Sequence, residues 1–320
     1  RLEVSLGGPA AIDAARERIE RVLGTGIAER SEFVNRRDKE ELCRLSPYFD
    51  QLRSWQSDEQ LILKVLARIA RERDLHPRSY IYGPFFFYQV GAGMAVARLL
   101  GRIPGSASAI DCMRDPEMLA PVYLSGRATM ALFGVAAVAV TFWAGLRLGG
   151  TGVAAVAAFL LACLPLECLA AHFIRPDAPS VFWSAVALLA ALPIAHRGEW
   201  RDYLLAGIPV GLAAGSKYPG ALAGAYVAAF HFLRRWDGRR EQGWLCRGDL
   251  RAVASGAIAV ATFVVVDPAC VLDAPTFWSD FGWIAGELRK TSLLDGLWDG
   301  IVCYGHDAFL YTMGPAATLA

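Results

Sequence analysis

The sequence predicts an all-α, polytopic membrane protein of the helical-bundle kind, preceded by an extramembrane helical region. Three observations carry this expectation. Hydrophobic residues make up 55% of the 320 positions, and the mean hydropathy of +0.34 exceeds that of a soluble chain of this size. Charges crowd into residues 1–80, whereas residues 128–146 and 181–195 contain none. The apolar stretches are also long enough, or nearly so, to cross about 30 Å of hydrocarbon.

Residues 9–24 and 31–74 place Arg, Glu, Leu and Ile at helical spacing, with Leu61, Val65 and Ile69 set against Lys64, Arg68 and Arg71. Residues 1–79 therefore read as an amphipathic helical region outside the membrane, carrying the acidic run Ser57-Asp58-Glu59. Residues 80–124 follow as an interfacial or re-entrant helix and an external loop. Pro84, three glycines and Arg98 interrupt the apolar stretch at 80–100, so it is not expected to make a single crossing. The transmembrane core is expected over 125–270, with spans near 125–147, 150–172, 178–196, 202–217, 219–234 and 250–270. The two short spans that meet at Lys217 are expected to be tilted or broken. Residues 271–320 read as an external segment and the start of a further membrane helix. With Arg1 at one end and an apparently shortened helix over 309–320 at the other, the chain reads as a fragment.

Loop charges set the expected orientation. Arg147, then Arg197 and Arg201, then Arg234, Arg235, Arg239, Arg240, Arg247 and Arg251 fall in alternate loops, which the positive-inside rule places in the cytoplasm. The loops at 172–179 and 217–220, and everything after Asp267, are then extracytoplasmic. A net charge of +1, with no basic run interleaved with aromatics, argues against a nucleic-acid partner. The seven cysteines show neither metal-ligand spacing nor a disulfide framework, and Cys163, Cys168 and Cys270 read as small core residues.

Ionisable groups at membrane depth or at its edge are costly, which makes each a site hypothesis. Asp58 and Glu59 open a helix and are equally explained as capping acids. In the run from His172 to Pro179, Arg175 and Asp177 join two apolar spans, where pairing or capping explains them as well as function does. Lys217, before Tyr218 and Pro219, either snorkels to a headgroup or provides a fixed cation for a phosphate. Asp267, with His306 and Asp307, reads as a turn or surface group, and Glu167 within the second span is expected to face a protein cavity.

Taken in order, these residues resemble the GT-C superfamily of polyprenyl-phosphate-sugar-dependent glycosyltransferases, which includes protein O-mannosyltransferases and aminoarabinose transferases. The resemblance covers residues 50–285. It rests on Ser57-Asp58-Glu59-Gln60, Tyr80-Ile81-Tyr82-Gly83-Pro84, Tyr123 to Arg127, Arg175-Pro176-Asp177, Gly211 to Tyr218, Asp267-Pro268 and Phe277-Trp278. It implies a multi-pass protein of the cell (inner) membrane whose active site faces the extracytoplasmic side. The implied partners are the bilayer, a polyprenyl-phosphate-linked sugar donor and a protein, lipid or glycan acceptor. The implied catalytic residues are Asp58 as general base, Glu59 to orient it and Asp177 to hold the acceptor or Arg175. Arg175, Lys217, Tyr218, Tyr82 and His172 are the implied substrate-binding residues, and Phe85, Phe86, Phe87 and Tyr88 are candidates to line a lateral entrance for the lipid.

A divalent metal, Mg or Mn, on Asp58 and Asp177 is compatible with the resemblance but not required by it. The chain lacks the membrane helix that relatives carry before the acidic pair, and Tyr82-Gly83-Pro84 lacks the charged residues of the aminoarabinose transferases, so that sugar is not favoured. A transporter or lipid flippase, or a non-catalytic membrane relative, is the alternative. A transporter predicts repeated halves, and no such repeat is seen in the sequence.

Overall fold

The computed structural model describes residues 56–103, 120–236 and 247–289, and all regular structure among them is helical. The expected features at 1–55, at Arg239 and Arg240, and at His306 and Asp307 lie outside the described residues. In chain order the helices are α1 (Ser57–Glu72), α2 (Pro84–Leu99), α3 (Ala120–Cys163), α4 (Pro165–His172), α5 (Asp177–His196) and α6 (Trp200–Ser216). A 3-10 turn (Tyr218–Ala223) leads into α7 (Gly224–Trp236), followed by α8 (Arg247–Val266), α9 (Ala269–Leu272) and α10 (Ala274–Arg289). The chain forms two compact units, one of Arg1–Leu75 with Gly91–Gly126 and the other of His76–Val90 with Arg127–Ala320.

In the first unit, α1 buries Glu59, Ile62, Val65 and Arg68. Each is a surface neighbour of the next, and the buried series winds about half-way round the helix. The amphipathic reading is thereby corrected at Arg68, which lies in the buried stripe with its aliphatic stem able to cover apolar surface, while Leu61 and Ile69 are only half-buried.

In the second unit, α3 is two helices. Gly149 and Gly150 leave helical geometry, Gly150 with φ 78°, a backbone region that glycine enters without steric cost. Gly145 and Ala154 would lie about 13 Å apart on a straight helix, yet a β-carbon at Gly145 would stand 2.6 Å from the Ala154 Cα. The chain therefore doubles back, and the expected pair of spans on either side of residue 149 is observed. Helix α2, by contrast, has 16 residues, about 24 Å of rise, short of the hydrocarbon thickness.

Ala120–Cys163, Asp177–His196 and Asp249–Val266 are long and apolar enough to cross a membrane. They turn Leu132, Val135, Phe159, Val253 and Val260 outward, as a surface facing lipid does. Cys163 and Cys168 are also exposed, which corrects their reading as core residues: they lie on the outward side of the helices that carry them.

Helices α5, α6 and α7 enclose a core of Ala187, Ala191, Ile194, Tyr203, Ala206, Val210, Ala223 and Val227. Small residues at helix crossings let backbones approach closely. On α6, Gly207 lies against the Ser255 carbonyl, Gly211 against that of Ala259, and Gly215 against Val266. This four-residue repeat locks α6 along α8.

At the end of the bundle where α5 stops and α6 begins, arginines serve as ties. Arg234 donates to the His196 carbonyl at 3.0 Å and Arg251 to that of Gly198 at 2.6 Å. Arg197 pairs with Asp202 at 2.8 Å, and Arg235 with Asp249 at 2.7 Å. His231 sits between the Tyr203 hydroxyl at 2.6 Å and Asp249 at 3.1 Å.

These contacts separate two glycine substitutions. Gly211→Ala drives a methyl into the Ala259 carbonyl and is expected to cost about 1–3 kcal/mol. Gly256→Ala meets nothing within 4 Å and should be neutral or slightly stabilising. Thermal unfolding in detergent measures both, and equal melting temperatures for the two variants would contradict the packing described.

Candidate active site

The chain breaks between α6 and α7 for a local reason. Pro219 has no N–H to give to the Gly215 carbonyl one turn back and its ring would clash there, so α6 ends at Ser216, with Lys217 extended at φ −150°, ψ 126°. A lysine thereby emerges at a helix end with its side chain directed across the bundle. Asp177 is the first residue of α5, directly after Pro176.

The two meet. Lys217 Nζ donates to Asp177 Oδ1 at 2.6 Å, and Arg175 Nε lies 3.4 Å from Asp177 Oδ2. The second contact is an ion pair without hydrogen-bond geometry, since Arg175 Nε and Asp177 Oδ2 are both buried atoms lacking a hydrogen-bond partner. All three side chains are half-buried.

Arg127, on α3, stacks over the Phe173 ring at 5.4 Å. Glu167 on α4 is 9% exposed, its Oε1 is without a hydrogen-bond partner, and it lies near enough to Asp177 for their charges to interact. Two cations, Lys217 and Arg175, converge on the Asp177 carboxylate. Paired cations in a partly desolvated place are suited to a phosphate.

Both Asp177 oxygens face cations, and among the described residues no three His, Cys, Asp or Glu side chains gather in a way that could hold a metal.

The other expected substrate-binding residues make contacts within the protein. Tyr218 donates its hydroxyl to the Tyr80 carbonyl at 2.7 Å, and its ring packs with Phe263, Phe277 and Phe281. Burial, then the charge of Asp267, holds the Tyr218 phenol above its ordinary pKa, so it remains a donor. Tyr82 packs edge-on against Phe86, and His172 turns its Nδ1 to the Cys168 carbonyl at 2.6 Å while remaining exposed. Phe86 and Phe87 are fully buried, so of the four aromatics proposed for a lipid entrance only Phe85 and Tyr88 keep some exposure.

In the first unit, Gln56 is the N-cap of α1 and makes no capping hydrogen bond. Asp58 accepts from Gln56 Nε2 at 3.0 Å, is half-buried, and is not itself the cap. Glu59 is fully buried.

Asp267, expected as a turn or surface residue, is instead fully buried at the end of α8, with neither carboxyl oxygen hydrogen-bonded. Tyr80, Phe277 and Ala269 form the buried core there, with Tyr218 and Phe263 packed against it. Burial pushes the Asp267 carboxyl up to about 7. The nearby Cys270 N–H, itself bonded at 3.2 Å to the main-chain carbonyl of Asp267, pulls the other way. Sequence alone offered no signal for this, since an Asp-Pro step marks turns far more often than cores.

An all-helical membrane bundle with a cation-rich, ion-paired site at one end fits the class of GT-C membrane glycosyltransferases. Residues 122–266, just under half of the chain, match the family described as dolichyl-phosphate-mannose-protein mannosyltransferase, and this segment is a mannosyltransferase-like GT-C domain. The membrane-length helices support an integral membrane protein, and the matched segment is of the membrane-glycosyltransferase type. Arg127, Glu167, Arg175, Asp177 and Lys217 fall inside the matched segment, and Asp58, Glu59 and Tyr82 outside it. No curated protein and no solved structure matches the chain.

Asp267 gives a pH-dependent prediction. Its folded pKa lies above the unfolded value, so the fold binds the proton more tightly. The stabilisation is full below about pH 4 and is lost as pH rises through about 7. Asp267→Asn, which stays neutral, should melt above the wild type at pH 8 and lose most of the decline in stability between pH 4 and 7. An unchanged pH profile in thermal melts would show that Asp267 is not the group responsible.

Proposed function

We propose that the protein transfers a sugar from a polyprenyl-phosphate donor to an acceptor hydroxyl at the extracytoplasmic face of the cell membrane, with inversion. The observation that carries this reading is the convergence of Lys217 and Arg175 on the Asp177 carboxylate at the end of membrane helices. The mannosyltransferase family match supports the same donor chemistry.

The donor lipid stays in the bilayer while its phosphate meets the cations. In the reaction the acceptor oxygen bonds to the anomeric carbon as the bond from that carbon to the phosphate oxygen breaks. The acceptor proton passes to Asp58, and the electron pair of the broken bond leaves on the phosphate. A phosphate monoester anion is a stable leaving group without protonation, so the enzyme needs one base and fixed positive charge where negative charge develops. Lys217 and Arg175 provide that charge, and Asp177 holds both cations in place. Glu59, buried beside Asp58 in sequence, orients the base.

Sidedness rests on the arginines. Arg197, Arg234, Arg235 and Arg251 gather at the end of the bundle opposite Lys217, and the positive-inside rule assigns that end to the cytoplasm. Acceptors in reach are hydroxyls of a protein, a lipid or a glycan.

The test is transfer of radiolabelled mannose from dolichyl phosphate to an acceptor pool by the chain in proteoliposomes. Lys217→Met should lower kcat on the order of 10²–10³-fold by removing charge stabilisation. Asp58→Asn should lower it by about 10²–10⁴-fold. Transfer by Asp58→Asn at the wild-type rate would exclude Asp58 as the base, and wild-type transfer by Lys217→Met would exclude the phosphate role.

A further inference from the structure

Lys217 and Asp177 sit on different helices, and a half-buried ion pair holds its geometry only if both backbones are fixed. The side chain of Gln89, on α2, reaches both helices. Its Nε2 donates to Ser216 Oγ at 2.9 Å, and Ser216 is the residue immediately before Lys217. Its Oε1 accepts from Trp183 Nε1 at 3.1 Å, on the helix that Asp177 opens. The indole N–H can only donate, which fixes which end of the Gln89 amide is the oxygen. The second amide proton points to the Phe85 carbonyl at 3.3 Å.

Ser216 is fully buried and passes its own proton to the Leu212 carbonyl at 2.9 Å, so the chain of bonds has no spare donor that water could easily replace. The result is a closed ring running from Asp177 along α5 to Trp183, through Gln89 to Ser216, and through Lys217 back to Asp177. The same stretch of chain is fastened at two further points. A β-carbon at Gly83 would overlap the Gly215 carbonyl, and Tyr218 on the far side of Lys217 donates to the Tyr80 carbonyl.

We infer that Gln89 is a positioning residue for the phosphate site, holding Lys217 in register with Asp177 by bridging Trp183 and Ser216. This rests on the proposed role of Lys217 for its catalytic consequence, but not for its geometric one. Gln89 touches no reacting atom and acts only through Lys217. Nothing in the sequence marked it, because a lone glutamine in an aromatic run has no motif.

The test uses Gln89→Met, which keeps length and removes all three hydrogen bonds, and Trp183→Phe, which keeps a ring and removes one. The first measurement is peptide-resolved reductive methylation of the four lysines (Lys39, Lys64, Lys217 and Lys290) in the folded, liposome-embedded chain. Gln89→Met should raise labelling of Lys217 severalfold relative to Lys64, and Trp183→Phe should do so to a lesser degree. Equal labelling of Lys217 in the wild type and Gln89→Met overturns the inference whether or not the chain transfers sugar.

The second measurement is mannose transfer. Gln89→Met should lower kcat about tenfold, less than the ~100-fold that a 1 Å misplacement can cost, with no further loss in a Lys217→Met background. Equal fold-losses in both backgrounds would make Gln89 a merely structural residue. A wild type that labels as expected yet transfers nothing would count against the proposed reaction and leave the geometric inference standing.

Discussion

The bond between Lys217 and Asp177 is the constraint on which the rest of this bundle end depends. Its 2.6 Å contact joins the C-terminus of α6 to the N-terminus of α5, and it forms only because α6 stops where Pro219 requires a break. A carboxylate held by one cation is a neutral structural pair. Here Arg175 approaches the same carboxylate at 3.4 Å. The carboxylate therefore holds together two cations that would otherwise repel one another. Such a cluster is costly to desolvate, which accounts for its place at a helix end rather than mid-bundle.

The packing beneath the pair is built from small residues. Gly207, Gly211 and Gly215 bring the α6 backbone against α8, and Gly83 brings the chain before α2 against Gly215 itself. Where backbones touch, no side chain can relax to absorb error, so the position of Lys217 is set by main-chain contact. Asp267 stands apart from this economy of fit. It is a carboxyl without a hydrogen bond, enclosed by Tyr80, Tyr218 and their phenylalanine neighbours, and its burial favours the protonated form. The opposite end of the bundle is ordered differently, with arginines bonding the carbonyls that helix ends leave open.

Much of this architecture was legible in the sequence because lipid imposes a simple rule: long apolar runs must be helices. The crossings on either side of Gly149, the helix opening at Asp177 and the break at Lys217 all follow from runs, glycines and prolines. Arg68 was misread because its charge suggested the solvent side, whereas it is buried next to Val65 one turn before it. Cys163 and Cys168 were misread because apolar surroundings mean interior in water but not in a membrane. At the site, charge at membrane depth flagged Arg175, Asp177 and Lys217 correctly as neighbours. It could not find Gln89, since a hydrogen-bond ring across three helices has no signature along one chain.

The central claim is that the Lys217 cluster binds the phosphate of a lipid-linked donor, and this can be read without any transfer reaction. Binding of dolichyl monophosphate to the protein in nanodiscs, followed by ³¹P NMR, isolates that contact from the base and from the acceptor. The account predicts a saturable shift of the phosphate resonance in the wild type that is lost in Lys217→Met. The same saturable shift in Lys217→Met would contradict it.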